Sequence, residues 1–203
     1  MSFIDRFISF TCELSLTEQA IHERVRRKLP RHELEDPQHF YAKVIAAWYL
    51  HRPDLIIASE PVEEGAPRIS TVAPEGYYEL WADVGSASPR ALRAASRLRH
   101  SGQTYPPPAI YHFFYEDEQL APLLAALRGS TENWVNEIHF IKLDAALLEQ
   151  LIDHETTSQH WSFTMPDDQT LYLDVDGAFF ASSINEISIW DTFQQSLKSA
   201  EVR

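Results

Sequence analysis

Two carboxylates in the run Tyr77-Tyr-Glu-Leu-Trp-Ala-Asp-Val-Gly85, and the arginines that follow it, are the residues of this chain best suited to chemistry. Carboxylates can hold a hard divalent cation, and arginines can clamp a phosphate. As a strand, the run alternates its side chains. Glu79, Trp81 and Asp83 then share a chemical face, while Tyr78, Leu80, Ala82 and Val84 pack a core face. Four residues at about 3.3 Å each put the two acids roughly 13 Å apart, too far to hold one ion together. Asp83 sits at the carboxyl end of the strand, where open α/β sheets bind ligands. It is therefore better placed than Glu79 to act, with a second ligand supplied from elsewhere.

The elements that must position these groups are legible around them. Ser88 caps a helix with Pro89 at its first position, and Gly102 stops it after His100. On that helix Arg90, Arg93 and Arg97 fall together, opposite Ala91, Ala95 and Leu98. Tyr105-Pro-Pro-Pro108 leads into a buried strand, Ala109–Tyr115, and strand, helix, strand in that order implies a right-handed crossover and a parallel pair. Upstream, residues 3–16 alternate Ile8, Phe10, Cys12, Leu14 and Leu16 with polar residues, a long half-buried strand.

Residues 17–31 fit either a helix face formed by Ile21, Val25 and Leu29 or a strand showing Arg24, Arg26 and Lys28 on its other face. Asp36-Pro37 starts a helix with an apolar stripe of Phe40, Val44, Ala47 and Trp48, and Glu35 stands at its beginning. Residues 51–76 read as a short strand at Leu55-Ile56-Ile57 followed by a proline-punctuated loop. Asp117 caps a helix through Leu127, Trp134–Leu143 is a strand, and Asp144 caps a helix to about His154. Trp161–Met165 and Thr170–Val175 form a hairpin, and the residues after it are weakly patterned and peripheral.

With 203 residues, 44% of them hydrophobic, the chain reads as one domain with a substantial core. Cys12, the only cysteine, excludes an internal disulfide, fits a reducing cytoplasm and is best read as a small buried residue. No run approaches a membrane span, so a soluble, cytoplasmic protein without a membrane partner is expected. The net charge of −13 is uneven: residues 1–101 carry −1 and residues 102–203 carry −12. Only the first half could face a polyanion, which weighs against a general nucleic-acid binder. The basic run Arg24, Arg26, Arg27, Lys28 and Arg31 is most simply a solvated face.

Nine histidines form no zinc spacing, and six glycines leave little room for a phosphate loop or a nucleophile elbow. Trp81, Tyr111 and Phe113 could stack bases, yet in such strands they are more often core.

The run Glu-Leu-Trp-Ala-Asp-Val-Gly before an arginine-rich helix resembles the Asp-Leu-Trp-Ile-Glu-Leu-Gly segment of the bacterial YaeQ family. Arg31-His-Glu-Leu-Glu35, with the helix ending Lys43-Val-Ile-Ala46, resembles that family's Arg-His-Pro-Ser-Glu segment and helix. The order of elements agrees over about residues 3 to 180, and this pattern favours the hairpin over the helix for residues 17–31.

The resemblance implies an α/β fold: a restriction-endonuclease-like mixed sheet flanked by helices, with an N-terminal and a C-terminal β-hairpin, related to PD-(D/E)XK nucleases. It also implies a site in which Glu35, Glu79 and Asp83 are the acids and Glu35 with Asp83 holds Mg²⁺ or Mn²⁺. The usual lysine position falls on Gly85 and the alternative helix lysine on Ala94, so Arg93 is expected to serve electrostatically. Arg90, Arg93 and Arg97 are the expected phosphate contacts. Two functions follow: a metal-dependent phosphodiesterase acting on nucleic acid, its activity weakened by the missing lysine, or a non-catalytic module binding nucleic acid or a protein partner.

Overall fold

In the computed structural model, residues 6–100, 106–128 and 134–194 are described. The chain opens with a hairpin of β1 (Arg6–Leu16) and β2 (Ile21–Arg31), in register from Arg6 opposite Arg31 to Leu16 opposite Ile21. The alternation of β1 is realised directly, with Ile8, Phe10, Cys12, Leu14 and Leu16 all buried. On β2, Arg24, Arg26 and Lys28 are solvated. Arg27 turns inward to donate to the carbonyls of Arg52 and Leu55, and Arg31 pairs with Glu155.

After α1 (Pro37–Tyr49) come β3 (Ile56–Ile57), β4 (Ile69–Val72), β5 (Tyr78–Val84), α2 (Pro89–His100), β6 (Ala109–Phe114), α3 (Ala121–Leu127) and β7 (His139–Lys142). The chain continues through α4 (Ala145–Asp153), β8 (Ser158–Met165), β9 (Thr170–Val175), β10 (Ala178–Ser183) and β11 (Asn185–Ile187). Two sheets result, in the orders β10-β9-β8-β1-β2 and β11-β7-β6-β5-β4-β3. In the second, β5, β6 and β7 run parallel, as the crossover requires. In the first, β8 lies parallel to β1, so the N-terminal and C-terminal hairpins join into one sheet.

Between the sheets runs α1. It is buried all round from Phe40 to Trp48, not along a stripe only, because both sheets and α4 pack against it. A second core lies on the other face of the second sheet, where Trp81, Ile110, Phe114 and Phe140 meet Leu92 and Ala95 of α2 and Leu123 and Leu127 of α3. The face of β5 expected to be chemical is therefore largely core. Trp81 is 1% exposed, and Tyr78 packs with it, since a register shift at Thr71/Val72 breaks the alternation.

Other expectations are corrected by capping and turn chemistry. Residues 51–76 contain a second strand, β4, whose four residues lie between Pro67 and Pro74 and were too short to signal. Residues 134–137 form a 3₁₀ turn, and the strand begins only at His139. Asp117 is not the cap. Glu116 occupies that position in a reciprocal box with Gln119, and Pro122 restarts the chain as a separate α3. Residues 178–187 are not peripheral, because β10 and β11 each edge a sheet. Ser88 accepts from the Ala91 N–H at 3.4 Å as expected of a cap, whereas Gly102 lies outside the described residues.

Candidate functional site

The start of α1 sets the site. Asp36 caps the helix by accepting from the N–H groups of Gln38 (2.7 Å) and His39 (3.2 Å), and Pro37 pre-sets the first turn. This fixes Glu35, His39 and Lys43, spaced by fours, along one side of the element. Lys43 is fully buried, with its Nζ 2.7 Å from Glu35 Oε1, 3.5 Å from the Ala58 carbonyl and 5.8 Å from the centre of the Phe40 ring. The Lys43–Glu35 approach is an ion pair lying off hydrogen-bond direction. Both Glu35 oxygens are buried and accept no hydrogen bond.

Arg68, just before β4, joins this pair to the strand. Its backbone N–H bonds the Ala82 carbonyl at 3.0 Å, which aims the side chain across the sheet end. Its Nε donates to Glu60 Oε1 at 2.7 Å and lies 3.1 Å from His39 Nε2, while Nη1 donates to Asp83 Oδ1 at 2.5 Å. That Asp83 oxygen also accepts the Val84 N–H at 3.0 Å. Burial pushes the Glu60 carboxyl up, but the His39 hydrogen bond and the Arg68 and Lys43 charges outweigh it and hold it at about 2. Next to Asp83, His112 is completely buried and its Nε2 meets the Gly85 carbonyl at 3.0 Å; burial lowers it to about 4, so the ring is neutral at pH 7.

Gly85 explains why no lysine follows Asp83. Its φ is +91°, and a Cβ there would stand 3.0 Å from His39 Nδ1 and 3.2 Å from Cε1. The imidazole fills the space a side chain would need, and the buried ammonium beside Glu35 is that of Lys43 on α1.

Of the sequence-predicted residues, Glu35 and Asp83 enter this assembly, linked through Arg68, Glu60 and His39. Glu79 does not. Its side chain is 48% exposed and lies 3.9 Å from Arg52. Arg90, Arg93, Ala94 and Arg97 line a separate cavity of about 470 Å³ with Trp134, and among the described residues no acid lines it. There Arg90 pairs with Glu64 at 3.6 Å, and the Arg93 guanidinium lies 5.4 Å above the Trp134 ring.

His39, Lys43, Glu60, Arg68 and His112 were not singled out from sequence. The spacing of Glu35, His39 and Lys43 carried a readable signal, but nothing local marks Glu60 or Arg68.

Ligand atoms of Glu35, His39 and Glu60 lie within 4.8 Å of one another, beside a cavity of about 370 Å³ that Arg68 also lines. Two carboxylates and one imidazole suit a divalent ion of the Mn²⁺ kind, and the buried Glu35 oxygens, ion-paired to Lys43, accept no hydrogen bond among the described residues. Asp83 is not part of this group, and Arg68 Nε already faces two of its donor atoms.

Fold and site together define a mixed α/β protein with two sheets around a buried helix and a charge-compensated acid cluster at the start of that helix. The chain belongs to the YaeQ family, whose sequence model, described as YaeQ protein, matches residues 1–183. Its fold is similar to the crystal structure of the YaeQ protein from Xanthomonas axonopodis pv. citri, with a TM-score of 0.76 at 12% identity over 90% of this chain and 98% of that one. It is also similar to that of the YaeQ protein from Pseudomonas syringae, with a TM-score of 0.74 at 13% identity over 91% and 96% of the two chains. A search of curated proteins finds no match. Among the described residues, no helix is long and apolar enough to cross a membrane.

Proposed function

We propose that this chain is a phosphodiester-handling protein of PD-(D/E)XK nuclease-like ancestry, with one divalent-ion site and weakened hydrolytic activity. The observation that carries this reading is the convergence of Glu35, His39 and Glu60 beside the buried Lys43 and the half-buried Arg68. Glu35, His39 and Glu60 would hold the ion, Mn²⁺ in preference to Mg²⁺ because of the imidazole. When bound, such an ion supplies Lewis acidity and an activated water. The chain's own groups do the rest. Lys43 balances the buried charge of Glu35, and the neutral His112 fixes the Gly85 turn against which His39 packs. Arg68 cannot act as a base, but its planar fork can turn from the acids to clamp a phosphate.

The same fork accounts for the weakness. At rest Arg68 stands as an internal cation among Asp83, Glu60 and His39, so an incoming ion must displace it. Calorimetric titration with Mn²⁺ tests this, paired with cleavage assays on plasmid DNA and single-stranded RNA. Saturable one-site binding is expected, lost in Glu35→Gln and tightened in Arg68→Gln, with slow Mn²⁺-dependent cleavage by the wild type.

The Arg68–Asp83 clamp also supports a second reading, a non-catalytic module that binds nucleic acid or a protein partner and in which the guanidinium has permanently replaced the ion. No Mn²⁺ binding by either the wild type or Arg68→Gln selects that reading.

A further inference from the structure

A cavity of about 520 Å³ lies at the opposite end of α1 from the acids, between the two sheets. That volume is in the range of small-molecule sites. Separate segments converge on it: the end of α1, the starts of β6 and β7, the turn between β8 and β9, and β11.

Four features give its lining one electrical character. First, α1 ends here with no basic residue in its last turn, so among the described residues the negative end of its dipole meets only neutral donors such as Gln19 Nε2, 3.5 Å from the Tyr49 carbonyl. Second, Asp168 lines the cavity without an ion pair among the described residues, and Glu186 lines it beside His139, whose Nδ1 is 2.8 Å away. Third, His51 lines it while only 6% exposed. Its Nε2 donates to the Glu23 carboxylate at 3.0 Å, and its buried Nδ1 has no hydrogen-bond partner among the described residues. Fourth, the walls offer aromatic faces: Tyr49 lies edge-on to Tyr111, and Tyr111 stacks on His139 at 4.7 Å.

Among the described residues, the arginine in the lining, Arg52, is already engaged, 3.9 Å from Glu79 and 3.4 Å from Thr71 Oγ1. Burial first, then the neighbouring Tyr111, Asp168 and Glu186, push the Tyr49 phenol up to about 12, in keeping with a negative cavity.

The two carboxylates, the helix C-terminus and the π faces favour the same guest, an N–H donor with a positive charge. We propose that this cavity binds a small organic cation, an ammonium or guanidinium on a short apolar stem, through Asp168 and Glu186 with Tyr49 and Tyr111 against the stem. The proposal is independent of the metal reading, since it shares no residue with the acid site.

Agmatine is the probe, followed by calorimetry and by amide chemical shifts of residues 168, 169 and 186, with butylurea as its neutral counterpart and adenosine monophosphate as an anionic, base-bearing competitor. The expected result is saturable one-site binding of agmatine at least about tenfold tighter than butylurea. The double variant Asp168→Asn/Glu186→Gln should weaken it by about tenfold or more. The matched change Glu149→Gln/Asp153→Asn on α4 should leave it within about twofold. Tyr111→Leu probes the π face, and because Asp168 and Glu186 are surface side chains, their double variant keeps the test decisive even if Tyr111→Leu does not fold. Absence of saturable binding overturns the proposal. So does equal loss in the two double variants, which would mean diffuse attraction to an acidic surface, or tighter binding of the nucleotide than of agmatine.

Discussion

The charges around Arg68 and those along α2 differ in what surrounds them. The Glu35 and Asp83 side chains are 1% and 6% exposed, whereas Arg90 is 85% exposed and its partner Glu64 71%. In the first region, each charge must be answered by another within hydrogen-bond or ion-pair reach, because a lone buried ion is prohibitively unstable. In the second, water answers most of the charge, and a partner adds little. Equal formal charges therefore carry very unequal weight for folding.

The largest break in this contrast is at Lys43. Lys43→Met leaves Glu35 buried beside no cation, and a loss of about 3–5 kcal/mol is expected in urea unfolding at pH 7. Adding Glu35→Gln should restore most of that loss, because the pair, not the lysine alone, is what the interior tolerates. A double variant as unstable as the single one would mean that the Lys43 stem matters more than its charge.

Acid sharpens the same contrast. Folded His112 titrates at about 4, below its ordinary 6.5, so on acidification the unfolded chain takes up a proton that the folded chain refuses. Stability should fall between about pH 6.5 and 4, by up to about 3 kcal/mol, and His112→Gln should flatten that window. Glu60 is ordinarily at 4.5 and is held at about 2 in the fold. Its depressed value contributes stability that is present above about pH 4.5 and lost towards pH 2, a window that Glu60→Gln should remove. Unfolding midpoints from pH 8 to 2 separate the two. The solvated arginines of α2 should leave both windows unchanged.

At Gly85 the effect is smaller. Gly85→Ala meets both a positive φ and the His39 ring 3.0 Å from the new Cβ, while Gly76→Ala meets a positive φ of 90° with open space. A loss of about 2–3 kcal/mol is expected at Gly85 and about 1 kcal/mol at Gly76, the difference reporting His39 packing. Equal losses would show that the ring moves aside freely.

What could be read from sequence divides along the same line. Local signals sufficed for β1, the Asp36-Pro37 start of α1, the parallel β5–β6 pair and the arginine face of α2. Each depends on periodicity or capping within a few residues, whereas β2 fitted a helix and a strand alike until the family pattern chose the hairpin. The pairing of Ser9 with Ser158 that makes one sheet of two hairpins leaves no local trace. Nor does the placement of Glu60 and Arg68, which come from a proline-punctuated stretch whose function is to answer charges on α1 and β5. The Lys43 ammonium was overlooked for a related reason. A lysine inside an apolar helix pattern reads as a solvent-facing interruption until a second sheet covers it.

The smallest expected effect is at the arginine stripe, and its smallness makes the stripe testable. Arg90→Gln removes only an exposed 3.6 Å pair and should shift stability by less than about 0.5 kcal/mol. Arg93→Gln also loses the contact over Trp134, adding about 0.5–1 kcal/mol. The triple variant with Arg97→Gln thus stays folded, so any change in its binding to a polyanion reports contact. If the stripe meets phosphates, fluorescence anisotropy with labelled DNA at several salt concentrations should show weaker binding and a salt slope reduced by up to about 2.7, the value for three phosphates. An unchanged slope would confine phosphate recognition to Arg68 and leave the α2 cavity as a solvated face, with Trp134 packed beneath Arg93 for stability alone.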